Sequence, residues 1–274
     1  MKLSFSTVGC PDWTFDEIYA SAKDFGYDAI EIRGMGTELS ATKLSIFSDF
    51  YIDATMEKLR SVGLDISMFA SNAVIGFPDI AETSKEEAFE YIDLASKTGV
   101  PFVRIMISPR PNADEVDLNV AASVYSEICE YAKEKGVTPL IETNGIFAES
   151  KVLKEFIEKI PCENKGVLWD INHPCRYFGE TAKQTFDNIG KYTKYLHIKD
   201  SVQSPGAGGK IEYRMTGYGD LPIFDIIKLM AGIGYDGVLS LEWTKRWQPD
   251  LQEPGIVFSQ YVSYMKYLIG EIKK

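Results

Sequence analysis

Short apolar runs recur along the chain, and each is followed by a polar stretch and then by a segment with helical spacing. The runs are almost continuous in apolar side chains, which is typical of parallel strands buried on both faces. Gly follows several of the helical segments, at the points where a helix would turn back into a strand. The predicted strands are Leu3–Ser6, Ala29–Ile32, Leu64–Phe69, Phe102–Ile107, Thr138–Glu142, Gly166–Asp170, Tyr195–Ile198 and Val238–Glu242.

The segments between these runs predict eight helices. The first of them places Ile18, Ala22 and Phe25 on one face, as an amphipathic helix requires. The third opens at Thr83 with Thr-Ser-Lys-Glu-Glu, which is a helix-capping signal. The predicted helices are Phe15–Phe25, Ala54–Val62, Thr83–Ser96, Val120–Ala132, Lys151–Ile160, Ala182–Ile189, Ile223–Met230 and Val257–Ile269.

Strand and helix alternate eight times over 274 residues. That is the pattern of a (β/α)8 barrel, so we predict a single TIM-barrel domain of the α/β class over residues 1–274. An open doubly wound sheet would normally carry Gly-x-Gly-x-x-Gly after its first strand, and residues 7–12 hold no such motif. The glycine-rich residues 206–209 follow the seventh strand and indicate a mobile loop rather than a nucleotide-binding turn.

Composition and charge exclude several classes of protein. Lys and Arg number 29 against 40 Asp and Glu, which gives a net charge of −11. Such a chain repels a phosphate backbone, so we expect no nucleic-acid partner. No uncharged apolar run approaches the ~20 residues that span a bilayer, and the N-terminus lacks the features of a signal peptide. The cysteines form no Cys-x-x-Cys pattern, so we predict free thiols and a cytoplasmic location.

Four predicted strands in succession carry a residue that can bind a metal. Because the carboxyl ends of barrel strands form the active site, we expect Glu142, Asp170, His197 and Glu242 to converge there. His173, the second of the two histidines in the chain, lies close by. Three buried carboxylates that face one another would repel, and a divalent cation removes that cost. One nitrogen and three carboxylates suit Mn²⁺, Mg²⁺ or Co²⁺, and also allow Zn²⁺.

Basic residues near the same strand ends leave two interpretations open. Lys199, Arg33 and Arg104 could neutralise the carboxylates without any metal. Alternatively, Lys199, two residues beyond His197 and on the same face of its strand, could bind a carboxylate or phosphate of the substrate. Glu31 and Arg33 could bind sugar hydroxyl groups, or they could form a salt bridge with each other.

Substrate specificity is expected to lie in the loops that follow the strands, chiefly residues 34–49, 108–117 and 201–219. Trp13, in the loop after the first strand, is the aromatic residue best placed to pack against a sugar face. The insertion before the seventh helix could be a lid or a contact within a homo-oligomer. Basic loop residues could recognise an anionic group or simply be solvated; they are Arg110, Arg176, Lys210 and Arg214.

Taken in order, these motifs resemble the xylose-isomerase-like TIM-barrel superfamily. This superfamily contains sugar and sugar phosphate isomerases and epimerases, inosose dehydratases and endonuclease IV. The endonuclease branch needs several more histidines than the chain has. The resemblance covers nearly the whole chain and rests on Gly9-Cys10-Pro11-Asp12-Trp13, Gly26–Arg33, Ile141-Glu142-Thr143-Asn144, Asp170-Ile171-Asn172-His173, His197-Ile198-Lys199-Asp200 and Leu241-Glu242-Trp243.

The resemblance implies a ligand set and a chemistry. Glu142, Asp170, His197 and Glu242 would bind one divalent metal ion, the two glutamates would also act as acid and base, and His173 would contact a substrate oxygen. One position departs from the ketose 3-epimerases of the family, which carry Arg six residues beyond the histidine ligand, where this chain has Gln.

The expected activity is therefore isomerisation or epimerisation of a sugar, sugar phosphate or related polyol ketone through a metal-stabilised enediolate. An inosose-dehydratase-like lyase on the same metal site is the alternative. A third possibility is a sugar-binding barrel without activity.

Overall fold

The computed structural model describes residues 1–112, 114–204 and 209–274. Its centre is a closed barrel of eight parallel strands, so the predicted (β/α)8 fold is confirmed. Residues 206–208 of the predicted glycine-rich loop lie outside the described residues. The barrel strands are β1 (Lys2–Ser6), β2 (Ala29–Ile32), β3 (Asp65–Val74), β4 (Phe102–Met106), β5 (Thr138–Glu142), β6 (Gly166–Asp170), β7 (Thr193–Ile198) and β10 (Val238–Leu241).

Helices surround the barrel, and two additional strands pair outside it as an antiparallel hairpin. The hairpin strands are β8 (Asp200–Gln203) and β9 (Ile211–Arg214), inside the insertion that precedes α8. The helices are α1 (Phe15–Phe25), α2 (Ile52–Arg60), α3 (Ala81–Thr98), α4 (Leu118–Glu134), α5 (Ser150–Lys159), α6 (Asn172–Phe178), α7 (Ala182–Ile189), α8 (Ile223–Gly232) and α9 (Pro254–Ile272).

Apolar side chains fill the space on both sides of the barrel wall. The larger cluster packs the outer faces of the strands against the helices, and it includes Phe5, Ile18 and Phe258. A smaller cluster closes the barrel interior. Because alternate side chains of a strand point to opposite sides, β3, β5, β6, β7 and β10 contribute to both clusters. The interior cluster, which forms the floor beneath the polar strand ends, consists of Met68, Ala70, Leu140, Leu168, Tyr195 and Val238.

The predicted capping signal at Thr83 is wrong, because α3 begins earlier, at Ala81. Ser84 is used differently: its hydroxyl accepts a hydrogen bond from the backbone N–H of Val74, at 3.2 Å. The carboxylate of Glu87 likewise accepts from the N–H of Asn72, at 2.7 Å. These side chains therefore hold the extended end of β3, which continues well beyond the predicted boundary.

Two further elements differ from the sequence-based expectation. Residues 172–178 form the short helix α6, where a loop was expected, and the insertion 201–219 contains the β8–β9 hairpin. Asp200 ties this insertion together, because its carboxylate accepts from the N–H groups of Gly217 and Gly219 at 2.8 and 2.9 Å. Along the described part of the chain, no helix combines the length and the apolar character that crossing a membrane requires.

Candidate active site

Strand register brings the predicted ligands together at the carboxyl end of the barrel. Asp170 of β6 lies opposite His197 of β7, and His197 lies opposite Ser240 of β10. Glu142 closes β5, and Glu242 directly follows β10. Glu142, Asp170, His197 and Glu242 are all buried, and each offers one ligand atom within 4.8 Å of the others. We refer to these four residues as the acid–histidine cluster.

The imidazole of His197 has one nitrogen that fits a metal ion. Its Nε2 lies 2.9 Å from Oε2 of Glu31, which fixes the ring. Its Nδ1 is buried, has no hydrogen-bond partner among the described residues, and lies 3.6 Å from carboxylate oxygens of both Glu142 and Glu242. With Nε2 as the donor to Glu31, the Nδ1 lone pair faces the two glutamates, as in carboxylate–histidine–metal arrangements.

Two basic side chains also contact the acid–histidine cluster. Arg104 Nη1 lies 3.4 Å from Glu142 and 3.7 Å from Glu242, and Lys199 Nζ lies 2.6 Å from Asp170 and also contacts Glu242. Burial lowers the pKa of His197, but Glu31 and Glu242 raise it well above its usual value, so a protonated imidazole balances part of the carboxylate charge when no metal is bound. A divalent cation would take the place of that proton, and the hard oxygen-rich donor set suits one.

These contacts shift the ionisation of the charged groups. Burial raises the pKa of Glu142, but Arg104 and His197 outweigh it and lower that pKa to about 2. Burial likewise raises the pKa of Glu242, whereas Lys199, His197 and Arg104 bring it well below the usual value. Burial lowers the pKa of Lys199, but Asp170 and Glu242 raise it well above normal. Both glutamates and the lysine are therefore charged at neutral pH.

Glu31 does not reach the substrate side of the site, contrary to the expectation that it binds sugar hydroxyl groups. It is fully buried, and its Oε2 accepts from Ser240 and Tyr195 at 2.8 and 3.1 Å, besides contacting His197. The salt bridge with Arg33 considered from the sequence is absent among the described contacts. Glu31 thus lies beneath the acid–histidine cluster as a support for His197.

Above the cluster lies a cavity of about 420 Å³. His173 lines it from α6, with Nδ1 3.0 Å from the carbonyl of Thr143 and Nε2 3.4 Å from Lys199 Nζ. Burial lowers the pKa of His173, more than Asp170 raises it, so a neutral imidazole faces the cavity. The charged side chains that line the cavity are Arg33, Arg104, Lys199, Glu142 and Glu242.

Trp13 is not part of this cavity. Its ring packs edge-on against Phe258, with centroids 5.6 Å apart, because the loop after β1 folds back onto α9. The aromatic side chains that do line the cavity are Tyr213 of the hairpin and Trp247 of the loop after β10. The exposed Gln203 donates to the carbonyl of Gly209 and does not line the cavity either.

Sequence reasoning missed five polar residues of the lining, Asn72, Asn144, Tyr213, Thr244 and Gln248. A signal existed for Asn144, because it follows Glu142 by two residues and strand alternation places both on one face. Asn72 was missed because β3 was predicted to end too early. Tyr213 reaches the cavity because it lies on the hairpin, which no local pattern of residues indicated.

Comparisons with known proteins agree with this architecture. The sequence profile of the family described as xylose isomerase-like TIM barrel matches residues 19–259. The fructoselysine 3-epimerase of Shigella flexneri is 22% identical over 286 aligned positions, covering 99% of each protein.

Solved structures are similar over nearly the full length. The probable 3-DHS dehydratase involved in petrobactin synthesis from Bacillus anthracis has a TM-score of 0.79 at 17% identity, with 97% of this chain and 99% of that one covered. A xylose isomerase-like TIM barrel protein from Mycobacterium smegmatis, in complex with magnesium, has a TM-score of 0.77 at 16% identity, with 99% and 97% covered. By the extent of the profile match and its closed eight-stranded barrel, this chain belongs to the xylose isomerase-like TIM-barrel family.

Proposed function

We propose that this protein is a metal-dependent isomerase or epimerase that acts on a sugar or a related polyol ketone. One observation carries the proposal: two glutamates of the acid–histidine cluster, Glu142 and Glu242, also line the cavity above it. The same carboxylates can therefore contact both a metal ion and a substrate. The similarity to a fructoselysine 3-epimerase over the full chain supports the same class of reaction.

The metal would be held by Glu142, Asp170, His197 and Glu242. When bound, a divalent cation supplies Lewis acidity to a carbonyl and a neighbouring hydroxyl oxygen of the substrate. Mn²⁺, Co²⁺, Mg²⁺ and Zn²⁺ all suit this donor set. Glu31 fixes the orientation of the histidine ligand through the 2.9 Å contact with Nε2.

The two glutamates would move the proton. Glu142 and Glu242 come from β5 and from the end of β10, so they approach the substrate from different directions. One would remove the proton from the hydroxyl-bearing carbon next to the carbonyl carbon, which generates an enediolate. Return of a proton to the opposite face of that carbon gives an epimer, and return to the neighbouring carbon gives an aldose–ketose isomer. His173, with a neutral imidazole, would hydrogen-bond a substrate oxygen.

A lyase is the second candidate, favoured by the proton donors that line the cavity. Lys199 carries a charged ammonium group 3.4 Å from His173 Nε2. After proton removal by a glutamate, such a pair could protonate a departing β-hydroxyl, which would leave as water. The result would be dehydration rather than isomerisation. Product NMR separates the two, because only dehydration gives an unsaturated product that has lost water.

Elemental analysis of the purified protein tests the proposal. We expect about one equivalent of Mn, Co, Mg or Zn, and a large loss of metal in Glu242→Gln. The exposed Glu155→Gln on α5 removes the same charge far from the site and should keep the metal. If wild-type protein binds no metal even in excess Mn²⁺ and Co²⁺, the carboxylates are balanced internally and the proposal fails. The metal-loaded protein is then screened against ketoses, inososes and sugar phosphates.

A further inference from the structure

Arg33 is a buried cation without an anionic partner. Its side chain lines the cavity, yet the residue is only 7% exposed. Nη2 donates to the side-chain oxygen of Asn72, while Nη1 is buried and has no hydrogen-bond partner among the described residues. No carboxylate oxygen of those residues lies within 4.0 Å of the guanidinium. The carboxylate of Glu87 is used elsewhere, because it accepts a hydrogen bond from the backbone N–H of Asn72.

The backbone holds Arg33 firmly in this place. Its N–H donates to the hydroxyl of Thr7 at 2.8 Å, and that hydroxyl donates to the carbonyl of Gly34 at 2.7 Å. Gly34 has a φ of +80°, and a Cβ there would lie 2.4 Å from the carbonyl oxygen of Glu38. This turn is thus built for glycine, and it aims the side chain from the end of β2 into the cavity.

A second guanidinium faces the same space. Arg104 lines the cavity, and its Nε is buried without a hydrogen-bond partner among the described residues. Burial and the nearby Arg104 lower the pKa of Arg33 to about 10, so Arg33 remains charged at neutral pH. Like charges that are buried together are unfavourable unless an anion joins them.

The net charge of the metal-loaded site also favours an anionic ligand. Four carboxylates, counting Glu31, face a divalent cation together with Arg104, Lys199 and Arg33. With His197 neutral, the sum is one positive charge in excess. Neutral sugars would leave that charge uncompensated, whereas a substrate with one acidic group would neutralise it.

We propose that Arg33, beside Arg104, forms a subsite for an anionic group of the substrate, a carboxylate or a phosphate ester. This inference rests on the proposed function, since it names the class of sugar or polyol ketone that the same cavity accepts. Guanidinium groups bind both kinds of anion through paired hydrogen bonds. The cavity of about 420 Å³ has room for a single monosaccharide-sized acid, since ligand pockets typically start near 300 Å³.

The test uses magnesium-loaded protein and three probes: acetate, its neutral isostere acetamide, and inorganic phosphate. Thermal denaturation is followed at constant ionic strength as each probe is titrated, with bound magnesium verified by elemental analysis beforehand. We expect acetate or phosphate to raise the melting temperature, and acetamide to have no effect. In Arg33→Gln, the probe concentration needed to reach a given rise in melting temperature should increase by about tenfold or more, as expected when a charge-assisted hydrogen bond is lost.

The control is Arg110→Gln, which removes the same charge from an exposed side chain next to the cavity mouth, where Arg110 pairs with Asp114. It should change the anion response by less than about twofold, given the weakness of exposed charge effects. A stronger response to acetate identifies a carboxylate subsite, and a stronger response to phosphate identifies a phosphate ester. The inference is overturned if acetamide acts like acetate, or if Arg33→Gln responds like the wild type. If magnesium does not bind, the same titrations are made with protein loaded with Mn²⁺ or Co²⁺, and failure of all three metals to bind would instead contradict the proposed metal site.

Discussion

At the scale of single residues, Glu31 links the barrel interior to the acid–histidine cluster. One oxygen of its carboxylate receives hydrogen bonds from Tyr195 and Ser240 and contacts Nε2 of His197. This arrangement fixes both the rotation of the imidazole and the nitrogen that carries its hydrogen. Partners of this kind orient metal ligands and raise their basicity.

Glu31→Gln should therefore weaken metal binding although Glu31 is not a ligand. We expect the dissociation constant for Mn²⁺, measured by isothermal titration calorimetry, to rise roughly 10–100-fold, the range seen for such supporting partners. Ser240→Ala is the matched control, because it removes one hydrogen bond to the same oxygen and leaves the charge in place. It should have a clearly smaller effect. Equal metal affinity in Glu31→Gln and wild type would contradict the supporting role.

Glu142→Gln should impair both metal binding and proton transfer. The amide keeps the shape of the side chain but loses the charge that binds a cation and the basicity that proton removal requires. We expect kcat on any identified substrate to fall by about 10²-fold or more, the contribution typical of a positioned acid or base. The measurement is steady-state kinetics at saturating metal. Full turnover by the variant would exclude Glu142 as a base.

The location of a site residue could be predicted from the sequence where strand alternation alone determines the direction of its side chain. The four members of the acid–histidine cluster, Lys199 and Arg33 were expected at strand ends, and the structure brings them to the same end of the barrel. Glu31 and Trp13 were placed on the substrate side and lie elsewhere. The position of a residue in a strand reveals which face its side chain occupies. It does not reveal how deeply the side chain is buried or which neighbouring residue it contacts.

At the scale of elements, the β8–β9 hairpin is the part of the site that depends most on a single anchor. Asp200 accepts from backbone N–H groups of Gly217, Gly219 and Ser201 at 2.8 to 2.9 Å. These contacts connect the hairpin, which carries Tyr213 into the cavity lining, to the segment that leads into α8.

Asp200→Ala should loosen this insertion, because several N–H groups lose their acceptor, and each unsatisfied buried group costs about 1–3 kcal/mol. We expect faster cleavage by trypsin within residues 199–222 and a higher KM. Asp220→Ala serves as control, since Arg176 is the one ion-pair partner of its exposed carboxylate within residues 1–112, 114–204 and 209–274. If both variants are cleaved at the wild-type rate, Asp200 does not hold the insertion.

Helix boundaries show why local signals sometimes mislead. The Thr-Ser-Lys-Glu-Glu segment reads as a helix start, but Ser84 and Glu87 serve β3 instead. By contrast, Thr14 forms a full capping box with Glu17 at the start of α1, where the predicted boundary is correct. A capping residue stabilises whichever backbone N–H lies nearest, and tertiary packing decides which one that is.

At the scale of the whole molecule, burial of the cysteines predicts their reactivity. Cys10, Cys129 and Cys162 are buried and Cys175 is half-buried, and all four are free. Burial raises the pKa of each thiol, which disfavours the reactive thiolate. Titration with Ellman's reagent should modify at most one thiol in the native protein, and all four after unfolding. Cys175→Ser should abolish the native reaction; rapid native modification of more than one thiol would contradict the packing.

The overall architecture was predictable because it depends on a repeated pattern rather than on any single contact. Eight strands with intervening helices, each near its predicted place, close into one barrel, and the register then fixes which strand ends meet. The short helix α6 and the β8–β9 hairpin lie outside that repeat. They were missed because their conformation depends on contacts such as those of Arg176 with Ser201, which no local pattern encodes.

The metal-binding residues and the outer cavity lining lie on different elements of the fold, so the two could change independently during evolution. The acid–histidine cluster stands on strand ends packed above an apolar floor, whereas Pro109, Tyr213 and Trp247 reach the cavity from separate connecting segments. Each segment could therefore be exchanged without disturbing the reactive centre. New substrate specificities should arise when one of these connecting segments is replaced at a time. Variant libraries confined to the three segments should therefore still contain folded proteins that bind the metal.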